Sequence, residues 1–356
     1  MSIPIKPSTF RASAHVAIAI VLSSIAVAGP AQAHMFCVST ATQLQAALDD
    51  ASDGGMYNGE DNYVEVVQGT YRTGAATGNA PFFFYSSAST HFLFISGGYS
   101  ENCSSQLHRA ALTVLDGRGV TGVLELRNVD GDIDVEDVTL ENGESDEPGA
   151  GLQVNYLITV NASVQINRTI ILDNHSTASG GGLYASAAGD YLFLQANLIA
   201  GNSADLSYGA GYVTGYGQFN SLYNNTVTGN TTTYADDPTG GLYCGGTTSC
   251  QIFNSIFWNN THFGLYLGDA GAVLSHNDYG TLGGAAPAID DLNLSVAPQF
   301  VDAANGDFHL AGDSPLLGYG LPLGSILDLD GNQFPFGGGL DLGAYSQTVF
   351  SDGFDN

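Results

Sequence analysis

The segment IILDN at residues 170–174 is followed 28 residues later by LIAGN at residues 198–202. Both end in a hydrophobic-x-x-Asn pattern, which closes five segments of the chain. The closing residues are Asn142, Asn174, Asn202, Asn230 and Asn260. A polar loop and a Gly-rich restart follow each of them, at residues 149–154, 180–185, 209–214, 240–245 and 263–268. Repetition with a period near 30 residues predicts an array of stacked units.

Each unit consists of short β-branched and aromatic runs that Gly, Asn, Asp and Ser interrupt at intervals too short for helices. A unit of this size with two or three short strands is typical of one coil of a parallel β-helix. We therefore predict an all-β fold, a right-handed parallel β-helix. Stacked coils would bring the five asparagines into a ladder of side-chain amides. The alternative is that each asparagine simply marks a turn.

The two flanks predict caps for the open ends of the stack. Thr40 and Gln43 form a capping box, and apolar residues at helical spacing follow them, which predicts an N-terminal capping helix. The C-terminal residues lose the asparagine period, which predicts an irregular cap. The predicted parts are a signal peptide (1–33), an N-terminal cap with the first coils (34–110), the β-helix repeats (111–290) and the C-terminal cap (291–356).

Residues 1–33 have the three parts of a secretory signal peptide. Lys6 and Arg11 precede an apolar run at residues 14–29, and Ala31-Gln-Ala33 provides the cleavage pattern. An uncleaved anchor is the alternative; no later segment is long and apolar enough to span a bilayer. The chain has 7 Lys and Arg against 35 Asp and Glu, so cleavage leaves 7 − 2 = 5 basic residues and a formal charge of 5 − 35 = −30. This charge disfavours nucleic acid and anionic lipid as partners.

Four cysteines remain after cleavage, an even number that favours two disulfides in an exported chain. Cys244 and Cys250 enclose a five-residue loop and are the easiest pair to close. This leaves Cys37 to pair with Cys103. Metal ligation is the rival, but neither a CxxC motif nor a nearby His pair supports it.

Together these features resemble the right-handed parallel β-helix, or pectin-lyase-like, superfamily. Five short blocks of the tail resemble the choice-of-anchor Q group of exported bacterial proteins: residues 298–302, 305–310, 313–315, 328–332 and 341–345. Phe334-Pro335 and Ser346 depart from that group, which usually has an Arg and a Glu there. The resemblance implies a secreted protein, or one on the cell surface of a Gram-negative bacterium.

Superfamily enzymes place acids or a basic residue on the outer face of one sheet. Alignment of the repeats predicts that Glu141 lies beside Asp173, with His175 two residues further on, and that Glu136 pairs with Arg168. Two carboxylates within 5–10 Å suit glycoside hydrolysis by acid and base. The alternative is a set of solvated turn carboxylates with a surface ion pair.

No cofactor is required by these motifs, although calcium is possible. Asp132, Asp134 and Glu136 alternate with apolar residues and share one outward face, where carboxylates can bind calcium or simply remain solvated. Asp328 opens a calcium-like loop whose twelfth position is Gly339 rather than Glu, so a tight turn is the default there.

Tyrosines recur at the Gly-rich restarts: Tyr184, Tyr212, Tyr243 and Tyr266. An exposed column of these rings would stack on sugars, whereas a packed column would only stabilise the fold. The pectinase blocks of the superfamily are missing. We therefore favour a non-catalytic exported scaffold, adhesin or glycan-binding module, with a glycan or cell-surface component as partner. The alternative is a hydrolase or lyase acting on a neutral or cation-bridged glycan.

Overall fold

The computed structural model describes residues 33–87, 90–128, 131–156, 163–189, 191–234, 239–324, 326–334 and 339–347. The signal peptide predicted for residues 1–33 lies outside these ranges, apart from Ala33. Three long parallel sheets dominate the described chain, and the strands within each sheet come from successive coils. The protein therefore has the predicted all-β parallel β-helix fold.

Sheet 1 has ten strands: Ala33–Val38, Asp61–Val67, Leu93–Tyr99, Ile133–Glu136, Ser163–Asn167, Tyr191–Gln195, Phe219–Tyr223, Cys250–Phe253, Val273–Ser275 and Ile289–Asp291. Sheet 2 has eight: Gly69–Arg72, Thr113–Asp116, Thr139–Glu141, Ile170–Leu172, Leu198–Ala200, Thr226–Thr228, Ile256–Trp258 and Asp278–Tyr279. Sheet 3 also has eight: Phe82–Ser86, Leu124–Asn128, Leu152–Tyr156, Leu183–Ala187, Gly211–Gly215, Leu242–Gly246, Leu265–Leu267 and Leu282–Gly284.

Smaller elements complete the architecture. A short parallel sheet joins Glu144–Ser145, His175–Ser176, Ser203–Ala204 and Thr231–Thr232. An antiparallel pair joins Phe300–Asp302 and Asp307–Leu310. The helices are the α-helix Ala41–Ala51 and the 3-10 turns Ala75–Thr77, Ala110–Leu112 and Ala303–Asn305.

Strand alternation determines which side chains form the core. In strand Tyr191–Gln195, Leu192 and Leu194 are buried inside the coil, while the other three side chains are only partly buried. The neighbouring coils repeat this pattern in register, so Ile166, Leu194 and Leu222 form a column of aliphatic residues, whereas the column of Leu192 includes the buried Asn220. The core is therefore continuous from coil to coil.

A ladder of buried asparagine amides follows sheet 2. The Oδ1 atom of Asn202 accepts hydrogen bonds from the backbone N–H of Asn174 at 3.0 Å and from its amide at 2.9 Å. Asn230 accepts the same two bonds from Asn202, and Asn260 accepts them from Asn230. These bonds join consecutive coils at one corner of the fold.

Asn142 does not belong to this ladder, so the sequence prediction that included it was wrong. Glu141 is in register with Leu172, so Gly143 rather than Asn142 lies opposite Asn174. The N–H of Gly143 donates to Asn174 Oδ1, whereas the side chain of Asn142 is directed to Asp116. Asn142 has φ +53° and occupies the left-handed turn position that asparagine tolerates.

A second ladder lies at the corner between sheets 1 and 2. Its members are Asn197, Asn225, Ser255, Asn277 and Asn293. Each backbone N–H donates to the side-chain oxygen of the next member, at 2.8–3.1 Å. Two corners of the coil are thus fixed by the same device.

The N-terminal helix is present as predicted. The Thr40 hydroxyl accepts a hydrogen bond from the Gln43 backbone N–H and caps the helix. Leu44 and Leu48 on its inner face are fully buried in the main core, and the helix packs against strand Phe82–Ser86. No helix in the described ranges is long and apolar enough to span a membrane.

Both disulfides form with the predicted pairing. Cys37 is bonded to Cys103 across 66 residues, and Cys244 is bonded to Cys250 across six. The first joins the N-terminal strand of sheet 1 to the loop after strand Leu93–Tyr99. The second closes the turn between sheets 3 and 1 within a single coil.

The C-terminal region is irregular, as predicted, but it runs back along the outer face of sheet 2. Leu310, Leu316 and Leu342 pack on Ile256. Further towards the N-terminal coils, Leu329 and Ala344 pack in a cluster with Ala110, Ile170, Leu198 and Ala200. This region therefore covers outward-facing apolar residues over several coils.

Candidate functional site

The four tyrosines identified in the sequence form one row on the outer face of sheet 3. Ring centroids are 5.7 Å apart between Tyr184 and Tyr212, 4.4 Å between Tyr212 and Tyr243, and 6.0 Å between Tyr243 and Tyr266. The interplanar angles are 9°, 11° and 21°, so the rings are stacked. Tyr208 packs beside the row, 5.0 Å from Tyr243. We call the four stacked residues Tyr184, Tyr212, Tyr243 and Tyr266 the tyrosine row.

Stacking determines which parts of these rings a ligand can reach. Tyr212 and Tyr243 cover each other's faces, so their ring edges and hydroxyl groups are what remain available to solvent. Burial raises the pKa of Tyr212 to about 12 and raises those of Tyr184 and Tyr243, so the hydroxyls stay protonated at neutral pH. Tyr184 is hydrogen-bonded to the Ser186 side chain, and Tyr212 and Tyr243 are hydrogen-bonded to each other, so these hydroxyl groups offer a ligand their remaining hydrogen-bonding capacity.

A groove of about 530 Å³ adjoins the first ring of the row; we call it the sheet 3 groove. Its lining includes the apolar residues Pro81 and Val120, and Gln153 in the sheet. Its acidic lining residues are Glu125 in the sheet, Glu144 in the short strand Glu144–Ser145, and Asp146 and Glu147 after that strand. Gln153 is in register with Tyr184, which places the groove and the tyrosine row on one face.

The predicted acid pair is offset by one residue. Glu141 is in register with Asp116 and Leu172, and Asp173 lies one position beyond it. Asp173 nevertheless affects Glu141: burial, then the charges of Asp116 and Asp173, raise the pKa of Glu141. Burial alone raises the pKa of Asp173. The alignment of the repeats was wrong here for the same reason as at Asn142.

Asp173 and His175 line a second groove of about 490 Å³, the sheet 2 groove, together with Arg72, Asp116 and Glu144. The His175 Nδ1 atom is hydrogen-bonded to the Ser203 hydroxyl at 2.9 Å, and its Nε2 atom lies 3.9 Å from Glu144. Arg72 pairs with Asp116 at 3.1 Å. The groove therefore holds an imidazole near Asp173, whose carboxyl has a raised pKa, a combination suited to proton transfer.

Glu136 and Arg168 are paired, as the sequence predicted, within a larger network. Arg168 also donates to both oxygens of Asp137, at 2.7 and 3.1 Å, and His108 Nδ1 is hydrogen-bonded to the same carboxylate at 2.8 Å. One potential ligand atom from each of His108, Glu136 and Asp137 lies within 4.8 Å of the others. Because the guanidinium already binds both carboxylates, this donor set suits Arg168 rather than a metal ion.

The predicted calcium positions have other roles in the fold. Burial and the neighbouring Glu136 raise the pKa of Asp134 to about 8, so this carboxyl binds a proton near neutral pH. Asp132 accepts a hydrogen bond from the Ser163 backbone N–H. The fully buried Asp328 accepts the backbone N–H groups of Asp330, Asn332 and Ser346 and holds a turn.

The sheet 3 groove was not identified from the sequence, because its lining comes from separate stretches of the chain between residues 79 and 177. Comparison with known proteins adds no assignment: no protein-family model, curated protein or solved structure matches the chain.

Proposed function

We propose that this chain is an exported, non-catalytic β-helix protein that acts as a surface scaffold and binds a glycan through the outer face of sheet 3. The observation that carries the proposal is the continuity of the tyrosine row with a groove of amphipathic walls. Sugars offer hydroxyl groups and apolar C–H faces, and this surface offers partners for both.

Export is supported by the two disulfides, which persist in oxidising compartments. The signal-peptide pattern of residues 1–33 and the resemblance of the tail to choice-of-anchor Q proteins agree with this location. We propose release into the medium or exposure on the surface of a Gram-negative bacterium.

The test is a calorimetric screen of neutral glycans with the wild type and the double variant Tyr184→Phe/Tyr212→Phe. The variant keeps the stacked rings but removes two hydroxyls and their hydrogen bonds to Ser186 and Tyr243, so we expect about tenfold weaker binding and a loss of about 1–2 kcal/mol in stability. Tyr63→Phe is the matched control, because Tyr63 packs with Phe92 and Phe94 on sheet 1. Binding that tolerates the double variant as well as it tolerates the control refutes the role of the tyrosine row.

Polysaccharide hydrolysis or elimination in the sheet 2 groove is the second candidate. The raised pKa of Asp173, which lines this groove with His175, favours it. Reducing-sugar and 235-nm assays over a glycan panel, with and without calcium, test it directly. Turnover that Asp173→Asn abolishes would replace the non-catalytic proposal, and a panel without turnover would remove this candidate.

A further inference from the structure

We propose that the sheet 3 groove binds an oligosaccharide that carries free amino groups, an inference that rests on the glycan binding proposed above and names the class of glycan. Gln153 provides the first observation. Its residue surface is only 6 % exposed, it lines the groove, and its side-chain amide has no hydrogen-bond partner among the described residues. The amide atoms are open to the groove and are not sealed inside the fold, so they can form hydrogen bonds to a molecule that occupies the groove.

The charge of the groove provides the second observation. All its charged lining residues are acids, and Glu125 already pairs with Arg127 of the same strand. Among the described residues Asp146 and Glu147 have no ion-pair partner, and Glu144 has only His175, at 3.9 Å. A ligand that brings positive charge is therefore favoured over a neutral or anionic one.

The spacing of these acids favours a polymer of amines over a metal ion. Among the described residues, the one group of three side chains whose ligand atoms converge within 4.8 Å is His108, Glu136 and Asp137, away from this groove. The groove carboxylates are too dispersed to coordinate one ion. A polymer that carries positive charges at intervals along its chain matches these separate carboxylates better than a single metal ion does.

The apolar lining residues favour a sugar over a basic peptide. Val120, which is 67 % exposed, and Pro81 line the groove together with the acids, so the groove offers apolar as well as acidic surface. A pyranose ring can pack its C–H face on the apolar residues while its hydroxyls reach Gln153. The groove also reaches the tyrosine row: a Cβ atom added to the lining residue Gly149 would lie 2.8 Å from the Cβ of Tyr184.

Calorimetry with two matched ligands tests the inference: the β-1,4-linked tetramer of glucosamine and its fully N-acetylated form, at pH 6. We expect the free amine to bind at least tenfold more tightly and to lose affinity as salt is raised from 50 to 500 mM, because exposed charges are screened. Equal affinity for the two tetramers would overturn amine recognition and leave the proposed glycan binding intact. Equal affinity for tetralysine would show that charge alone is recognised, and would also overturn the inference.

Two variants locate the site. Gln153→Leu removes an amide that contacts no protein partner, so we expect about tenfold weaker binding with an unchanged melting temperature. Asp146→Asn/Glu147→Gln removes two groove charges, and Glu101→Gln/Asp313→Asn removes two exposed charges elsewhere as the matched control. The groove is the wrong site if Gln153→Leu binds like the wild type, or if the two double variants bind equally.

Two further results decide between the proposals. Heat from CaCl₂ alone that Asp146→Asn/Glu147→Gln abolishes would identify an ion site and overturn the inference. If a neutral glycan binds in a way that depends on Tyr184 and Tyr212 and the glucosamine tetramer does not bind, amine recognition is overturned and the proposed function is supported.

Discussion

Asn202 is the residue whose replacement tests the stacking of the coils most directly. It is fully buried, and its side chain makes four hydrogen bonds. Its Oδ1 atom accepts two from Asn174, and its amide donates to the Ile171 carbonyl at 2.9 Å and to Asn230 at 3.0 Å. Alanine removes all four.

The expected loss of stability follows from these bonds. The buried N–H of Asn174 is left without its acceptor, which costs about 1–3 kcal/mol, and each of the other three bonds contributes about 1 kcal/mol. Contributions of neighbouring groups are not additive, so we expect Asn202→Ala to lower the free energy of unfolding by about 4 kcal/mol.

Asn142→Gly is the matched control, because it alters the asparagine that the sequence pattern places in the ladder and the structure places outside it. Asn142 is exposed, and its amide makes one bond of 3.2 Å, to Asp116. Glycine also accepts φ +53° without strain. We expect a loss of at most about 1 kcal/mol.

Urea unfolding followed by far-UV circular dichroism and by the fluorescence of Trp258, the one tryptophan of the chain, measures both variants. The two probes must give coincident transitions before a free energy is quoted, because repeat proteins can unfold in parts. A loss at Asn142→Gly that equals or exceeds the loss at Asn202→Ala refutes the register and the energetic argument together.

Three further predictions concern the rest of the fold. Loop closure predicts that Cys37→Ser/Cys103→Ser lowers the free energy of unfolding by about 4 kcal/mol and Cys244→Ser/Cys250→Ser by about 2 kcal/mol; the reverse order in urea unfolding would contradict this. Hydrogen bonds from His309 to Asp330 and Asp307 raise the pKa of His309 to about 9, so stability present below pH 6.5 should decline between pH 6.5 and 9, and His309→Gln should remove this decline in pH-dependent melting curves. Burial raises the pKa of Asp278 from 3.8 to about 6, so the contribution of Asp278 to stability falls as pH rises through that interval. We expect Asp278→Asn to be about 1–3 kcal/mol more stable than the wild type at pH 8 but not at pH 3.5. Equal stability of the two proteins at pH 8 would count against a destabilising buried charge.

The coil could be predicted because its period is carried by buried residues in every repeat. The register predicted from the sequence is wrong in the one coil where a glycine holds the ladder position. Gly143 holds the ladder position in its coil, and the asparagine immediately before it imitates the repeat. A sequence pattern records the residue type, whereas the ladder depends on which residue follows the left-handed turn.

The second ladder also has a sequence signal, although the hydrophobic-x-x-Asn pattern does not include it. Asn197 and Asn225 each stand five residues before a member of the first ladder, Asn202 and Asn230. Both asparagines of each pair recur at an interval of 28 residues, so one N-x4-N motif marks two corners of a coil. Grooves leave no such trace, because loops of different lengths from separate coils form their walls.

The path of the C-terminal region explains which face of the coil remains for a ligand. Ile170, Leu198 and Ile256 point outward from sheet 2, where apolar side chains would normally meet water, and the C-terminal region covers them. The corresponding outward positions of sheet 3 hold the tyrosine row and Gln153, whose polar groups suit contact with water or sugar. Because the hydrogen bonds of Asn224 and Thr226 also attach the C-terminal region at sheet 2, the covering of that sheet is part of the fold. The outward side chains therefore differ between the two faces: those of sheet 2 are apolar and covered, and those of sheet 3 are polar, which is why we propose sheet 3 as the ligand-binding face.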